Sequence, residues 1–193
     1  MNSRNTILFF IFSALVVIIF FLQLLLGSVE IPLADLIQIL FASETGNEAW
    51  HNIIIESRLP AALAALLAGA GLSVSGLQMQ TMFRNPVAGP YVLGISAGAS
   101  LGVAVFIMSA SAFGINEIRL LSSWSIILSA AVGAMLIFFI NFLISYRLSD
   151  VVAILIIGLM IGGGISALIE IMQSFSSNEA LKNYVLWTFG SFR

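Results

Sequence analysis

The chain has 193 residues, of which 60% are hydrophobic and 8% charged, with a mean hydropathy of +1.11. An ordinary soluble domain carries about 45–50% apolar and about 25% charged residues, so charges this sparse cannot coat a water-facing globule and the surface must face lipid. The absence of cysteine excludes disulfide frameworks, thiol catalysis and Fe–S ligation, and a net charge of −2 excludes the basic footprint of a nucleic-acid binder.

The charged residues leave uncharged gaps at 5–29, 59–83, 85–116, 120–146 and 151–169. Each gap holds about the ~20 apolar residues that a helix needs to cross ~30 Å of hydrocarbon. Runs such as ILFFIFSALVVIIFFLQLLL lack the alternation of a barrel strand, so the predicted fold is all-α, a polytopic helical membrane protein. The spans are predicted near 7–26, 59–83, 87–108, 124–144 and 151–172, within one transmembrane domain covering 1–193. An odd number of spans puts the termini on opposite sides of the membrane.

Arg4 before the first apolar run also suits a signal peptide, but the run is long for one and no small-x-small cleavage site follows. The outer loop 28–57 contains IPLADLIQIL, whose apolar spacing behind Pro32 predicts a short interfacial helix. His51, with no cysteine or second histidine near it, reads as a solvated loop residue rather than a metal ligand, and no metal site is expected. The second span carries Ala65, Gly69 and Ser73 at i, i+4 spacing, and Gln78 and Gln80 at its end suit hydrogen bonds between helices. Gly94, Gly98 and Gly102 repeat that spacing in the third span, as do Gly158, Gly162 and Ser166 in the fifth. Since lipid gives helices no hydrophobic reason to associate, such stripes predict close backbone packing in a bundle. Glu170 lies near the end of the last span, where snorkelling outweighs a proton-relay role. Paired acids, HExxH, GxSxG and the phosphate-binding GxxxxGK[ST] are all absent, so no enzyme activity is expected. With the N-terminus inside, basic residues divide three inside (Arg4, Arg84, Arg147) to four outside (Arg58, Arg119, Lys182, Arg193), so charge does not set the orientation.

The stretch 56–102 carries specific motifs. R-L-P stands at Arg58, Leu59 and Pro60, and G-A-x-L-x-x-S-G runs from Gly69 to Gly76. R-N-P-x-A-x-P then L-G-x-S-x-G-A places Arg84, Asn85, Pro86, Ala88, Pro90, Leu93, Gly94, Ser96, Gly98 and Ala99. This stretch resembles the FecCD family of permease subunits, the membrane halves of ABC importers for iron-siderophores, haem and cobalamin. Similarity continues more weakly through LIIGLMIGGGISALI to LWTFGSF. The chain departs from the family pattern at Gly89, Tyr91 and Ala61, where the family usually has an acid, a glycine and a second arginine.

The resemblance implies the N-terminal half of a ten-helix ABC importer permease, because the chain ends where the family enters its sixth span. It implies a cytoplasmic N-terminus, a docking role for Arg58 toward the substrate-binding protein, and a cytoplasmic gate at Ser149, Asp150, Val151 and Val152. The implied partners are an ATP-binding subunit, a periplasmic substrate-binding protein, a second permease copy in a homodimer and membrane lipid, with no nucleic acid and no cofactor. The implied location is the inner membrane, multi-pass. Two other readings stand beside it: a half-size secondary transporter working as a dimer, which would need intramembrane ion ligands, and a non-functional truncated permease.

Overall fold

The computed structural model describes residues 3–41, 47–112, 123–148 and 150–190. Every regular element among them is helical: α1 (Ser3–Leu25), α2 (Leu33–Phe41), α3 (Glu48–Asn52), α4 (Leu59–Phe83), α5 (Ile95–Ala112), α6 (Ser123–Ser145), α7 (Val151–Ser174) and α8 (Asn178–Thr188). Four stretches are long and apolar enough to cross a membrane: Ser3–Leu25, Glu48–Phe83, Trp124–Ser145 and Val151–Ser174. The third expected span differs. Instead of a helix from Val87, the chain runs through an irregular stretch and a 3₁₀ turn, Pro90–Leu93, before α5 starts at Ile95. Pro86 and Pro90 explain the delay, since each lacks an N–H and pushes the preceding residue out of helical conformation.

The chain divides into two compact units, residues 1–71 with 191–193, and residues 72–190, with the boundary inside α4. In the first unit, α1 is apolar on all sides, and Leu24 is its one buried residue. Leu24, Ile31, Leu36, Ile39, Ile54 and Ala62 form a small core that ties the end of α1 to α2 and the start of α4. The Asn47 side chain caps α3, accepting from the Ala49 and Trp50 amides at 3.1 and 3.4 Å. Between α3 and α4 the chain winds as a π-helix over Ile53–Arg58, where the Leu59 amide bonds the Ile54 carbonyl. Pro60 accounts for this widening: it has no N–H to return to the Glu56 carbonyl, and its ring would strike that carbonyl in an α-helix.

In the second unit, α5 packs on α6, α7 and α8. Val103, Ala104, Ile107 and Met108 of α5 meet Ile137 of α6, Ile165 and Ile169 of α7, and Ala180 and Tyr184 of α8. Asp150 caps α7, its carboxylate accepting from the Val152 amide at 2.9 Å, and Ser177 caps α8 by accepting from Ala180 at 3.3 Å. Burial pushes the Tyr184 hydroxyl pKa above its ordinary value, against the opposing effect of a hydrogen bond with Ser100.

Candidate functional site

The R-N-P motif is a helix terminator. Arg84 follows the last residue of α4 with φ of 47°, in the left-handed region that glycine ordinarily fills. Its amide bonds the Thr81 carbonyl at 3.3 Å and the Asn85 amide reaches back to Gln80 at 3.1 Å, the paired bonds of a Schellman motif. The Asn85 side chain then accepts from the Val87 amide at 3.0 Å, and Pro86 blocks any further helix. A non-glycine residue in this conformation costs about 1 kcal/mol. We therefore expect Arg84→Gly to raise stability by up to about 1 kcal/mol, read as a higher thermal unfolding midpoint; a lowered midpoint would give the exposed Arg84 side chain a structural role of its own.

The terminator opens a stretch without α-helix, Asn85–Gly94, which closes on a second left-handed residue, Gly94, with φ of 71°. Val92, Leu93 and Gly94 are buried. The neighbour is α7, brought to backbone contact by its own glycines. A Cβ at Gly158 would lie 2.8 Å from the Val92 carbonyl oxygen, and one at Gly94 would lie 3.0 Å from the Gly158 oxygen and 3.1 Å from the Gly162 nitrogen. Across from α7, Asn141 of α6 is 6% exposed and donates through Nδ2 to the Leu93 and Ile137 carbonyls, both at 2.9 Å.

Below the break α5 lies on α6 with equal closeness. A Cβ at Gly98 would stand 2.5 Å from Ile137 Cγ1 and 2.7 Å from the Gly133 oxygen, and one at Gly102 would collide with the Ser129 carbonyl. Gly94, Gly98, Gly102, Gly158 and Gly162 thus all sit at helix contacts. Ser166 does not: its hydroxyl bonds the Gly162 carbonyl of its own helix and the residue is exposed. Gly69 and Ser73 are also exposed, and a Cβ at Gly69 would meet nothing within 4 Å. The α6 side of the interface escaped the sequence reading. Its signal is the i, i+4 series Ser129, Gly133, Ile137 and Asn141, broken in character by one large residue.

Arg58 is not the exposed charge that docking would use. It is 9% exposed, at the end of the π-helical turn, with Nη1 donating to the Leu24 and Leu25 carbonyls at 2.8 and 3.0 Å and Nη2 to the Val29 carbonyl. The guanidinium therefore satisfies the orphan carbonyls at the C-terminus of α1, where the helix dipole also favours a cation. Gly27, another residue missed in the sequence, makes room for it: a Cβ there would lie 2.5 Å from Arg58 Nη2.

Of the expected gate, Ser149 lies outside the described residues. Asp150 and Val152 are exposed and Val151 is half-buried at the start of α7. Gln78, Gln80 and Glu170 are exposed, and His51 is half-buried. No group of three or more metal-ligating side chains occurs among the described residues.

Against known proteins, the FecCD transport family matches residues 15–193. The iron(3+)-hydroxamate import system permease protein FhuG of Bacillus subtilis is 30% identical over 92% of this chain and 52% of its own length. The hemin transport system permease protein HmuU of Yersinia pestis is 34% identical over 87% of this chain and 49% of its own. A solved metal-chelate type ABC transporter, in an inward-facing conformation, superposes with a TM-score of 0.75 at 28% identity, covering 97% of this chain and 54% of that one. The chain spans about half the length of the curated relatives it matches.

Proposed function

The chain belongs to the FecCD transport family, and from that premise we propose that it supplies the N-terminal half of the membrane permease of an ATP-driven importer. It is a multi-pass membrane protein, and the proposed location is the inner membrane with the N-terminus in the cytoplasm. The proposed cargo class is that of its relatives, whose names specify iron(3+)-hydroxamate, hemin and vitamin B12. ATP hydrolysis falls to a separate ATP-binding subunit, as the chain has no phosphate-binding loop of the GxxxxGK[ST] kind. A substrate-binding protein, a second permease copy and membrane lipid complete the proposed partners.

The observation that carries this reading is the family match along nearly the whole chain, joined to a bundle built for close helix packing. Alternating-access transporters place their route between repeated bundles, and one such bundle is what residues 72–190 supply. We keep the turn at Asp150–Val152 as the proposed cytoplasmic gate, because short connections between packed helices absorb rocking motions.

Co-expression tests the proposal. Residues 1–193 are produced with the C-terminal half of the Bacillus hydroxamate permease, its ATPase and its binding protein, in cells lacking that permease. Helices insert before they assemble, so uptake of an iron(3+)-hydroxamate should require both halves and the ATPase. A cysteine at Val151 should then change its labelling rate during turnover. Uptake into proteoliposomes by residues 1–193 alone would replace this reading with the half-size secondary transporter.

A further inference from the structure

We propose that Asn141 is the positioning residue that keeps the non-helical stretch Asn85–Gly94 seated in the bundle, so that the break is a fixed part of the α5–α6–α7 packing rather than a free connection. The stretch poses a specific problem. Backbone outside a helix has carbonyls that no i+4 amide reaches, and in a membrane protein such groups are tolerated only where protein or trapped water satisfies them. Within the break, turn bonds serve some carbonyls: Ala88 bonds Asn85, Val92 bonds Gly89 and Gly94 bonds Tyr91. The Leu93 carbonyl faces α6, and there Asn141 Nδ2 donates to it at 2.9 Å.

The amide orientation follows from the surroundings. Two carbonyl oxygens, those of Leu93 and Ile137, stand at 2.9 Å from the same atom, which must therefore be the donor nitrogen. With 6% exposure the side chain has little water to compete for it. Removing a buried donor leaves its acceptor unpaired, which costs more than the bond itself contributes.

Location makes this bond more than local. Leu93 precedes Gly94, whose left-handed backbone redirects the chain into α5, and Gly94 in turn lies against Gly158 and Gly162. The Gly98 amide then returns to the Gly94 carbonyl at 2.9 Å, starting the helix ladder. One side chain of α6 thus holds the point at which the break meets α7 on one side and α5 on the other. A carbonyl held by a side chain from a different helix can be released by changing that side chain without touching the break.

The chain lacks cysteine, so a single introduced thiol reports without background. Ala88 lies in the break at 4% exposure and Ala104 in α5 at 0%. In the full chain in membranes, Ala88→Cys and Ala104→Cys are each exposed to N-ethylmaleimide, with Asn141 intact and with Asn141→Leu, a change that keeps bulk and removes the donor. The expected result is at least a tenfold faster reaction at position 88 in the Asn141→Leu background, with position 104 still protected. Asn141→Val, smaller and equally unable to donate, should give the same pattern. Unchanged protection at both positions would overturn the proposal, since Asn141 would then be mere filler. Loss of protection at both would also overturn it, because Asn141 would be holding the bundle together in general and not the break.

Discussion

Gly98→Leu should abolish stable assembly of the α5–α6 pair. A Cβ at this position already falls 2.7 Å from the Gly133 carbonyl oxygen, which is backbone and cannot rotate away, and 2.5 Å from Ile137 Cγ1. Overpacking in a close-packed interior ordinarily costs about 1–3 kcal/mol. A leucine here must push the backbones of both helices apart along their length, so the cost belongs at or above the upper end of that range. Without hydrophobic drive between helices in lipid, few other forces bring the pair back. The readout is loss of the monodisperse peak in detergent and a thermal midpoint lowered by many degrees. Gly163→Leu serves as the control, because a Cβ there meets nothing within 4 Å and should leave the midpoint unmoved. Equal behaviour of the two variants would remove the packing argument.

Arg58→Met should be nearly as damaging, for a different reason. The substitution keeps an apolar stem but strips the donors from three carbonyls, those of Leu24, Leu25 and Val29. An unsatisfied buried acceptor costs about 1–3 kcal/mol, partly offset because a buried charge no longer has to be desolvated. A net loss of about 3 kcal/mol is expected, confined to residues 1–71. Accordingly a cysteine at Leu24, 0% exposed in the intact chain, should become reactive to maleimide, while one at Ala104 stays protected. Arg58→Lys should recover only some of the protection, since a point charge cannot span three acceptors as the planar fork does. Full protection of Leu24→Cys in the Arg58→Met background would show that the carbonyls find other partners.

The helical class was legible because uncharged runs of membrane-crossing length leave no other solution, and the glycine spacing in α5 and at Gly158 and Gly162 pointed to real contacts. The interruption before α5 was not. Val87–Gly94 is as apolar as the helix that follows, so hydropathy carries straight across it, and the stop lies in backbone conformation at Arg84 and Gly94. A left-handed arginine is invisible to composition. Asn141 was missed because one polar residue in a long apolar run says nothing of which carbonyl it meets, and Leu93 is 48 positions away. Arg58 misled for a related reason: an arginine at the edge of a span reads as a surface charge until the end of another helix is seen to lie against it. Gly69 and Ser73 share the spacing of the packed glycines, yet spacing describes a face and not its occupant.

The π-helical turn at Ile53–Arg58 has a consequence for length variation. An i→i+5 turn holds one residue more than α-helical winding of the same rise, so deleting a single residue there lets the segment revert to ordinary pitch. Each residue of an α-helix turns the chain by about 100°, and everything after the deletion would rotate by that angle relative to α3. The guanidinium would swing off the end of α1, and a different side of α4 would face the loop. Indels of one residue are tolerated in most interhelical segments, but this turn works as a register lock in which length, more than side-chain identity, is the constrained quantity.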